Sequence, residues 1–318
     1  MHRILIELPS WLGDTIMASP AIRNIIDSYK EYDFYFLGSK ISLDCYQKFL
    51  PENKRICIEK SYFTDITRIL SLKEFDIFLS FRNSYRSKIL MNFIKAKKKY
   101  FYDKKKFNKG HQVQKYNSFV SSSLNINKEP GALEIFGYEK KKEPKNIIGI
   151  NPGASYGSSK RWYPAEFSKL IEHLSSSYEI WIFGGIGEVD IIQDIEKYLS
   201  KKNIINYKNL AGKTSINDLI EKISELSLFI TGDSGPMHIA AVFEIPTITI
   251  FGSTNDLITN QWSNPYSFIV KDNLICQPCM KRTCPLGHHK CMKNVSYKDV
   301  LDLIHRTPQL KKFKAVTI

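Results

Sequence analysis

LFITGDSGPMHIAA, residues 228–241, reads as a short apolar strand, a Gly-Asp-Ser-Gly-Pro turn and a helix. A strand that runs straight into a helix belongs to a parallel α/β sheet. The turn between them lies at the carboxyl edge, where such sheets bind ligands. Gly232 and Gly235 permit backbone conformations closed to other residues and let a ligand approach. Asp233 or Ser234 is placed to cap the helix, with Pro236 near its first turn. Open N–H groups and the helix dipole make an anion site there, suited to the phosphates of a nucleotide. His238, one turn in, can donate to a phosphate or sugar oxygen. Asp233 is unwelcome beside a phosphate on charge grounds, so it is expected to face sugar hydroxyls or to order the turn. Taken alone, the segment reads equally well as an ordinary capped strand-to-helix turn.

The surrounding chain repeats this grammar. Residues 3–8 read as a buried strand, followed by a turn and a helix over 18–29; residues 34–37 and 75–81 (FDIFLSF) are further strands. Residues 139–146 (EKKKEPKN) are charged, contain a proline and lack apolar periodicity, which marks a linker. Beyond it the pattern restarts: strands at 147–150, 179–183, 228–231 and 247–251, and helices from about Pro164 and over 215–226, the latter opened by a capping box with Asp218 in place of the usual Glu. Two α/β domains are therefore expected, residues 1–145 and 146–318, with ligands bound in the cleft between them. A length of 318 residues with 43% hydrophobic composition fits two folded domains rather than one core or a disordered chain.

Two more loops carry chemistry. Residues 151–162, NPGASYGSSKRW, follow the first strand of the second domain and combine glycines, serines and the cations Lys160 and Arg161. Such a loop can wrap a diphosphate, with Lys160 stabilising charge on a leaving group; it also reads as a flexible surface loop. Neither loop matches the Walker pattern G-x-x-x-x-G-K-[ST], which disfavours a P-loop NTPase. Glu188, in the GGIGE turn at residues 184–188, is placed to accept from ribose hydroxyls or simply to sit at a helix start. In the first domain, PSWLGDT at residues 9–15 lies between a strand and a helix. Asp14 there is a candidate general base, and also a reasonable N-cap.

The chain carries 46 Lys and Arg against 32 Asp and Glu, a formal charge of +14. Such a surplus points to nucleic acid, a phospholipid surface or a phosphorylated glycan, unless it serves only solubility. The N-terminal run has Glu7 inside it and Asp14 soon after, unlike a signal peptide, and no apolar run approaches the roughly 18 residues of a membrane span. A cytoplasmic protein, at most peripheral to a membrane, is expected, with its six cysteines mostly reduced. Cys276, Cys279, Cys284 and Cys291, with His288 and His289 among them, are spaced C-x2-C-x4-C-x6-C. They suit a structural zinc, a packed loop of free thiols, or a disulfide formed after purification.

PSWLGDTIMASPAIRNI, NPGASYGSSKRWYPAEFSKL and GDSGPMHIAAVFEIPTITIFGST together resemble the ADP-heptose:lipopolysaccharide heptosyltransferases of glycosyltransferase family 9. The blocks stand in the family's order and run over most of the chain. The Pro-Ser-Trp-x-Gly-Asp detail and the cysteine-rich tail look most like the type II members, which add the second inner-core heptose to the first; types I and III act on other core acceptors. The resemblance implies the GT-B fold, two Rossmann-like α/β domains facing each other across a cleft, and it leaves the last helix free to pack back on the first domain. It implies an inverting transfer without metal or cofactor, with ADP-heptose as donor and ADP as product. It also implies an enzyme on the cytoplasmic side, peripheral to the inner membrane. Asp14 matches the base and Lys160 the lysine on the donor diphosphate. Ser155, Glu188, Thr214, Asp233, Ser234, Gly235 and His238 match donor-binding positions, with Glu188 on the ribose and Thr214 near the adenine.

The acceptor that the resemblance implies is an anionic lipopolysaccharide core. Ser10 and Trp11 beside Asp14, and Arg82, Asn83 and Arg86 after the strand at 75–81, are expected to bind it, the arginines through bidentate contacts to carboxylates. The lysine-heavy run at 95–106 suits an anionic leaflet; it also reads as a solvated face. A basic nucleic-acid-binding protein would explain the charge and the cysteines but not two glycine-rich loops in a restarted α/β domain. A nucleotide-sugar epimerase or dehydrogenase would need G-x-G-x-x-G after the first strand, and residues 9–14 lack it.

Overall fold

The first strand, β1 (Arg3–Glu7), is flanked on both sides by strands that come later in the chain. These are β2 (Asp33–Gly38) on one side and β4 (Phe75–Ser80) on the other, both parallel to it. With β3 (Arg55–Cys57) and β5 (Ala96–Phe101) they form a five-stranded sheet ordered β3-β2-β1-β4-β5. Helices cover both faces of such a sheet, so its central strands are apolar on both sides; Ile4, Leu5 and Ile6 are fully buried. The computed structural model describes residues 2–58, 61–141 and 144–313, with Tyr62 described by its backbone alone. Lys142 and Glu143, within the expected linker, lie outside the described residues.

The second sheet contains β6 (Ile147–Asn151), β7 (Glu179–Ile182), β8 (Tyr207–Asn209), β9 (Leu228–Gly232), β10 (Thr247–Phe251) and β11 (Ser267–Lys271). Its order is β11-β10-β9-β6-β7-β8, again all parallel. In both sheets the first strand of the unit neighbours the second and the fourth. That is the doubly wound order, and the gap between first and fourth strands is where such sheets bind ligands.

The chain divides into two compact units, Met1–Tyr138 and Glu139–Ile318. The described residues 139–141, 144 and 145 therefore belong to the second unit. Lys140 pairs with Glu244, Lys141 and Lys145 pair with Glu225, and the Lys145 N–H bonds the Glu225 carbonyl at 2.8 Å.

Four strands escaped the sequence reading. The lysine-heavy run is in part β5, an edge strand with Lys97, Lys98 and Lys99 exposed. Lysines on an edge block further strand pairing, which accounts for much of this run without a ligand. The last helix, Tyr297–Arg306, packs on the second unit. Its apolar stripe Val300, Leu301 and Ile304 lies in the second unit's own core with Leu310, Phe313 and Trp162, and the Tyr297 N–H bonds Glu166 at 2.9 Å. No helix among the described residues is long and apolar enough to cross a membrane.

Ile304 is fully buried in this core. Ile304→Ala should destabilise the second unit by about 2–5 kcal/mol, the usual cost of a core truncation. Trp162, Trp181 and Trp262 all lie in this unit, so the shift is readable in a urea titration by tryptophan fluorescence. An unchanged midpoint would contradict the placement.

Candidate active site

Asp14 stands in the first turn of a short helix, Leu12–Met17, directly after β1. The N-cap residue is Trp11, not Asp14, which corrects the capping alternative and leaves the carboxylate to other work. The loop beneath it is pinned: Thr15 donates to the Pro9 and Trp11 carbonyls at 3.1 and 3.0 Å, and Ser42 donates to Pro9 at 2.5 Å. Tyr116 donates its hydroxyl to Asp14 Oδ1 at 3.2 Å. Burial, and after it the charge of Asp14, holds the Tyr116 pKa well above its usual value, so the phenol stays a donor. Ser10 and Trp11 are exposed beside Asp14, Trp11 by 49%.

The two arginines expected to meet an acceptor are engaged within the first unit. Arg82 lies 3.5 Å from Glu7 Oε1, and Arg86 forms a close ion pair with Asp65. Glu7 and Asp65 are each buried, and a buried carboxylate requires donors. Glu7 has two more, from Ser80 at 2.5 Å and Ser87 at 2.8 Å. Asn83, between the arginines, is exposed.

In the second unit the polar cluster sits where β6 and β9 separate. Asn151, the last residue of β6, is buried and donates to Thr231 Oγ1 at 3.2 Å and Ser234 Oγ at 3.1 Å. The Lys160 ammonium donates to Asp233 Oδ2 at 2.6 Å and to the Asp233 carbonyl at 3.3 Å. Thr254 donates to the same Oδ2 at 2.6 Å. Asp233 therefore orders the turn and holds Lys160, and paired in this way its charge no longer repels an anion. The Lys160 ammonium also lies 4.7 Å from the centre of the Tyr156 ring.

The helix Gly235–Val242 begins with Ser234 at its N-cap, and no side chain caps it. His238 lies in this helix and is buried. Neither Gly232 nor Gly235 adopts a positive φ, so left-handed freedom is not why glycine stands there. At Gly232 the reason is space, since a Cβ would lie 3.2 Å from the Lys160 carbonyl. Glu188 is buried, accepts from the Gly185 N–H at 2.8 Å and from Ser155 Oγ at 3.5 Å. Gly153 lies so close that a Cβ there would meet the Glu188 carboxylate at 2.1–2.5 Å. Thr214 ends a loop tied to the same turn through the Gly212 N–H and the Gly184 carbonyl, 2.9 Å apart. The structure thus brings Ser155, Glu188 and the Thr214 loop together, and Lys160, Asp233 and Ser234 together. Asn151, Tyr156 and Thr254 join these clusters without having been expected there; only Asn151, at the end of β6, carried a sequence signal.

Residues 64–290 match the model of glycosyltransferase family 9 (heptosyltransferase). The chain belongs to this family. It is 40% identical over 310 residues to the lipooligosaccharide heptosyltransferase 2 of Campylobacter jejuni serotype O:2, covering 94% of this chain and 96% of that one. To the protein of the same name from serotype O:6 it is 41% identical, covering 96% and 98%. The structure of Escherichia coli ADP-heptose lps heptosyltransferase II superposes with a TM-score of 0.76 at 20% identity, covering 98% of each chain. Escherichia coli heptosyltransferase WaaC with ADP gives 0.76 at 15% identity, covering 95% and 99%. The two Rossmann-like units are thus those of the GT-B fold.

In this family 9 chain Cys276, Cys279, Cys284 and Cys291 line one cavity of about 20 Å³ with His288 and His289. All four are free thiols, and among the described residues no three His, Cys, Asp or Glu are placed to hold a metal ion. Cys291 is spent on the second unit's core, its thiol pushed up to about 11 by burial and then by the other three sulfurs. Cys284 turns to its own loop, accepting from the His289 N–H at 3.4 Å, which with neighbouring N–H groups lowers its pKa. The segment braces the loop after β6: Ser159 donates to the Lys281 carbonyl at 2.5 Å and Tyr156 to the Met280 carbonyl at 3.1 Å.

Burial raises the Glu7 pKa above 4.5, against the opposing pull of Arg82, Ser80 and Ser87. A carboxyl raised on folding stabilises the fold below its unfolded pKa, and that contribution is lost as pH rises through the folded value. Glu7→Gln has no such loss. The stability of the variant relative to the parent should therefore climb from pH 4.5 upward. Urea titrations across that range test it, and a flat or falling difference would refute it.

Proposed function

We propose that this family member is a type II heptosyltransferase, moving heptose from ADP-heptose to the inner-core heptose of lipopolysaccharide or lipooligosaccharide with inversion. The observation that carries the reading is the near full-length likeness to two lipooligosaccharide heptosyltransferases 2. Asp14 takes the proton of the acceptor hydroxyl, whose oxygen attacks the anomeric carbon; the bond to ADP breaks and ADP leaves with the electron pair. Tyr116 holds the carboxylate in place. Lys160 meets the diphosphate: two of its three N–H donors point to Asp233, which leaves one for the ligand. The uncapped start of the Gly235–Val242 helix adds positive potential, so charge neutralisation needs no metal or cofactor. Glu188 and Ser155 serve the ribose, Thr214 the adenine, and Asp233, Ser234, Gly235 and His238 the phosphate and heptose.

Ser10, Trp11, Asn83, Arg82 and Arg86 serve the acceptor. Arg82 and Arg86 reach its anionic groups by exchanging part of their internal pairing. The formal charge of +14 suits an anionic core and a peripheral, cytoplasmic position on the inner membrane. Product analysis with ADP-heptose and defined truncated core acceptors tests the transfer step; addition of heptose to an acceptor lacking the first heptose would point to another type. Asp14→Asn should lower kcat by about 100-fold or more while leaving the Kd for ADP unchanged. Near-normal turnover in that variant would remove Asp14 from the role of base.

A further inference from the structure

The loop that follows β10 uses two consecutive hydroxyls to hold two different pieces of the donor site. Ser253 Oγ lies 2.9 Å from Ser159 Oγ, in the loop after β6. Thr254 Oγ1 donates to Asp233 Oδ2 at 2.6 Å, in the turn after β9. Both hydroxyl residues are buried. Lys160 approaches that same Oδ2 at 2.6 Å from the opposite loop. One carboxylate oxygen therefore receives two donors from two strand ends, and the position of one constrains the other.

We propose that Thr254 is a positioning residue for donor recognition: by fixing the Asp233 carboxylate it fixes the Lys160 ammonium where the donor's diphosphate binds. The inference rests on the functional reading above and adds a residue to it. A lysine side chain is long and rich in rotamers, and ordering it only on binding would cost affinity. The Asp233 carboxylate by itself is a poor anchor, because it can turn about its side-chain torsions. A second donor, rigidly mounted on the β10 loop, removes that freedom. The Thr254 hydroxyl also takes up part of the oxygen's accepting capacity, so Lys160 is held without being wholly consumed.

The test is ADP binding by calorimetry on the full chain, with thermal unfolding of each variant alongside. Thr254→Val should weaken ADP about tenfold, as expected for a lost hydrogen bond to a charged group. Thr254→Ser, which restores the hydroxyl, should bind as the parent does. Should Thr254→Val fail to fold, Thr254→Ala takes its place. The deciding measurement is the same substitution in a Lys160→Gln background. If Thr254 acts through Lys160, it should have little further effect there. A full tenfold loss in that background, or parental affinity for Thr254→Val, would overturn the proposal. A parent protein that binds no ADP would overturn the functional reading itself, and this inference with it.

Discussion

The loops at the ends of β6, β9 and β10 depend on one ion pair, Lys160 with Asp233, whose side chains are 12% and 5% exposed. Neither charge is tolerable alone at that depth, so each residue's loop is obliged to meet the other. The two positions are far apart in sequence and meet only because β6 and β9 are neighbours in the sheet, with Asn151 opposite Thr231 in register. Thr254 joins them because β10 is the next strand along. The strand order is thus the reason that a lysine from one loop, an aspartate from a second and a threonine from a third share an oxygen atom. A sheet with the same strands in another order would present the same motifs and no site.

The first unit applies the same constraint to a different group. There β1 and β4 are the neighbours, and the buried carboxylate is Glu7, at the end of β1. Its closest donors are the hydroxyls of Ser80 and Ser87, with Arg82 further off. Hydroxyls satisfy the carboxylate oxygens without supplying a counter-charge, which is why burial still raises the Glu7 pKa. Asp14 stands beyond this cluster, in the first turn of the helix that follows, above a loop pinned by Thr15 and Ser42 at Pro9. A rigid polar floor beneath a more accessible carboxylate is what an orienting site requires.

The sequence made the central strands legible because β1, β2, β4, β6, β7, β9 and β10 are apolar runs that end in turn residues. It made Asp14, Lys160 and the Asp233 turn legible because glycine, proline and a following helix mark a strand end. It hid β3 and β8, which are three residues each, and β5, whose lysines read as a ligand patch until an edge is drawn beside them. Partners were the other blind spot. Arg82 and Arg86 looked available because Glu7 and Asp65, which engage them, lie 75 and 21 positions away in the chain. Asn151 and Thr254 sit inside the recognised blocks, but only register reveals what they touch.

The two arginines differ in a way that bears on the acceptor. Glu7 keeps two hydroxyl donors of its own, and Arg82 stands at 3.5 Å, outside good hydrogen-bond length. Arg82 gives up less than Arg86 when it turns toward an external anion, because the carboxylate it leaves keeps two hydrogen bonds. Arg86 is in close contact with Asp65, and that carboxylate is buried. Withdrawing Arg86 would break a close ion pair with a buried carboxylate, which is costlier than loosening a contact of 3.5 Å. Under the proposed reading, recognition of an acidic core group therefore falls first on Arg82. The Arg86–Asp65 pair then acts mainly to join the helices Tyr62–Leu70 and Tyr85–Phe93 behind it.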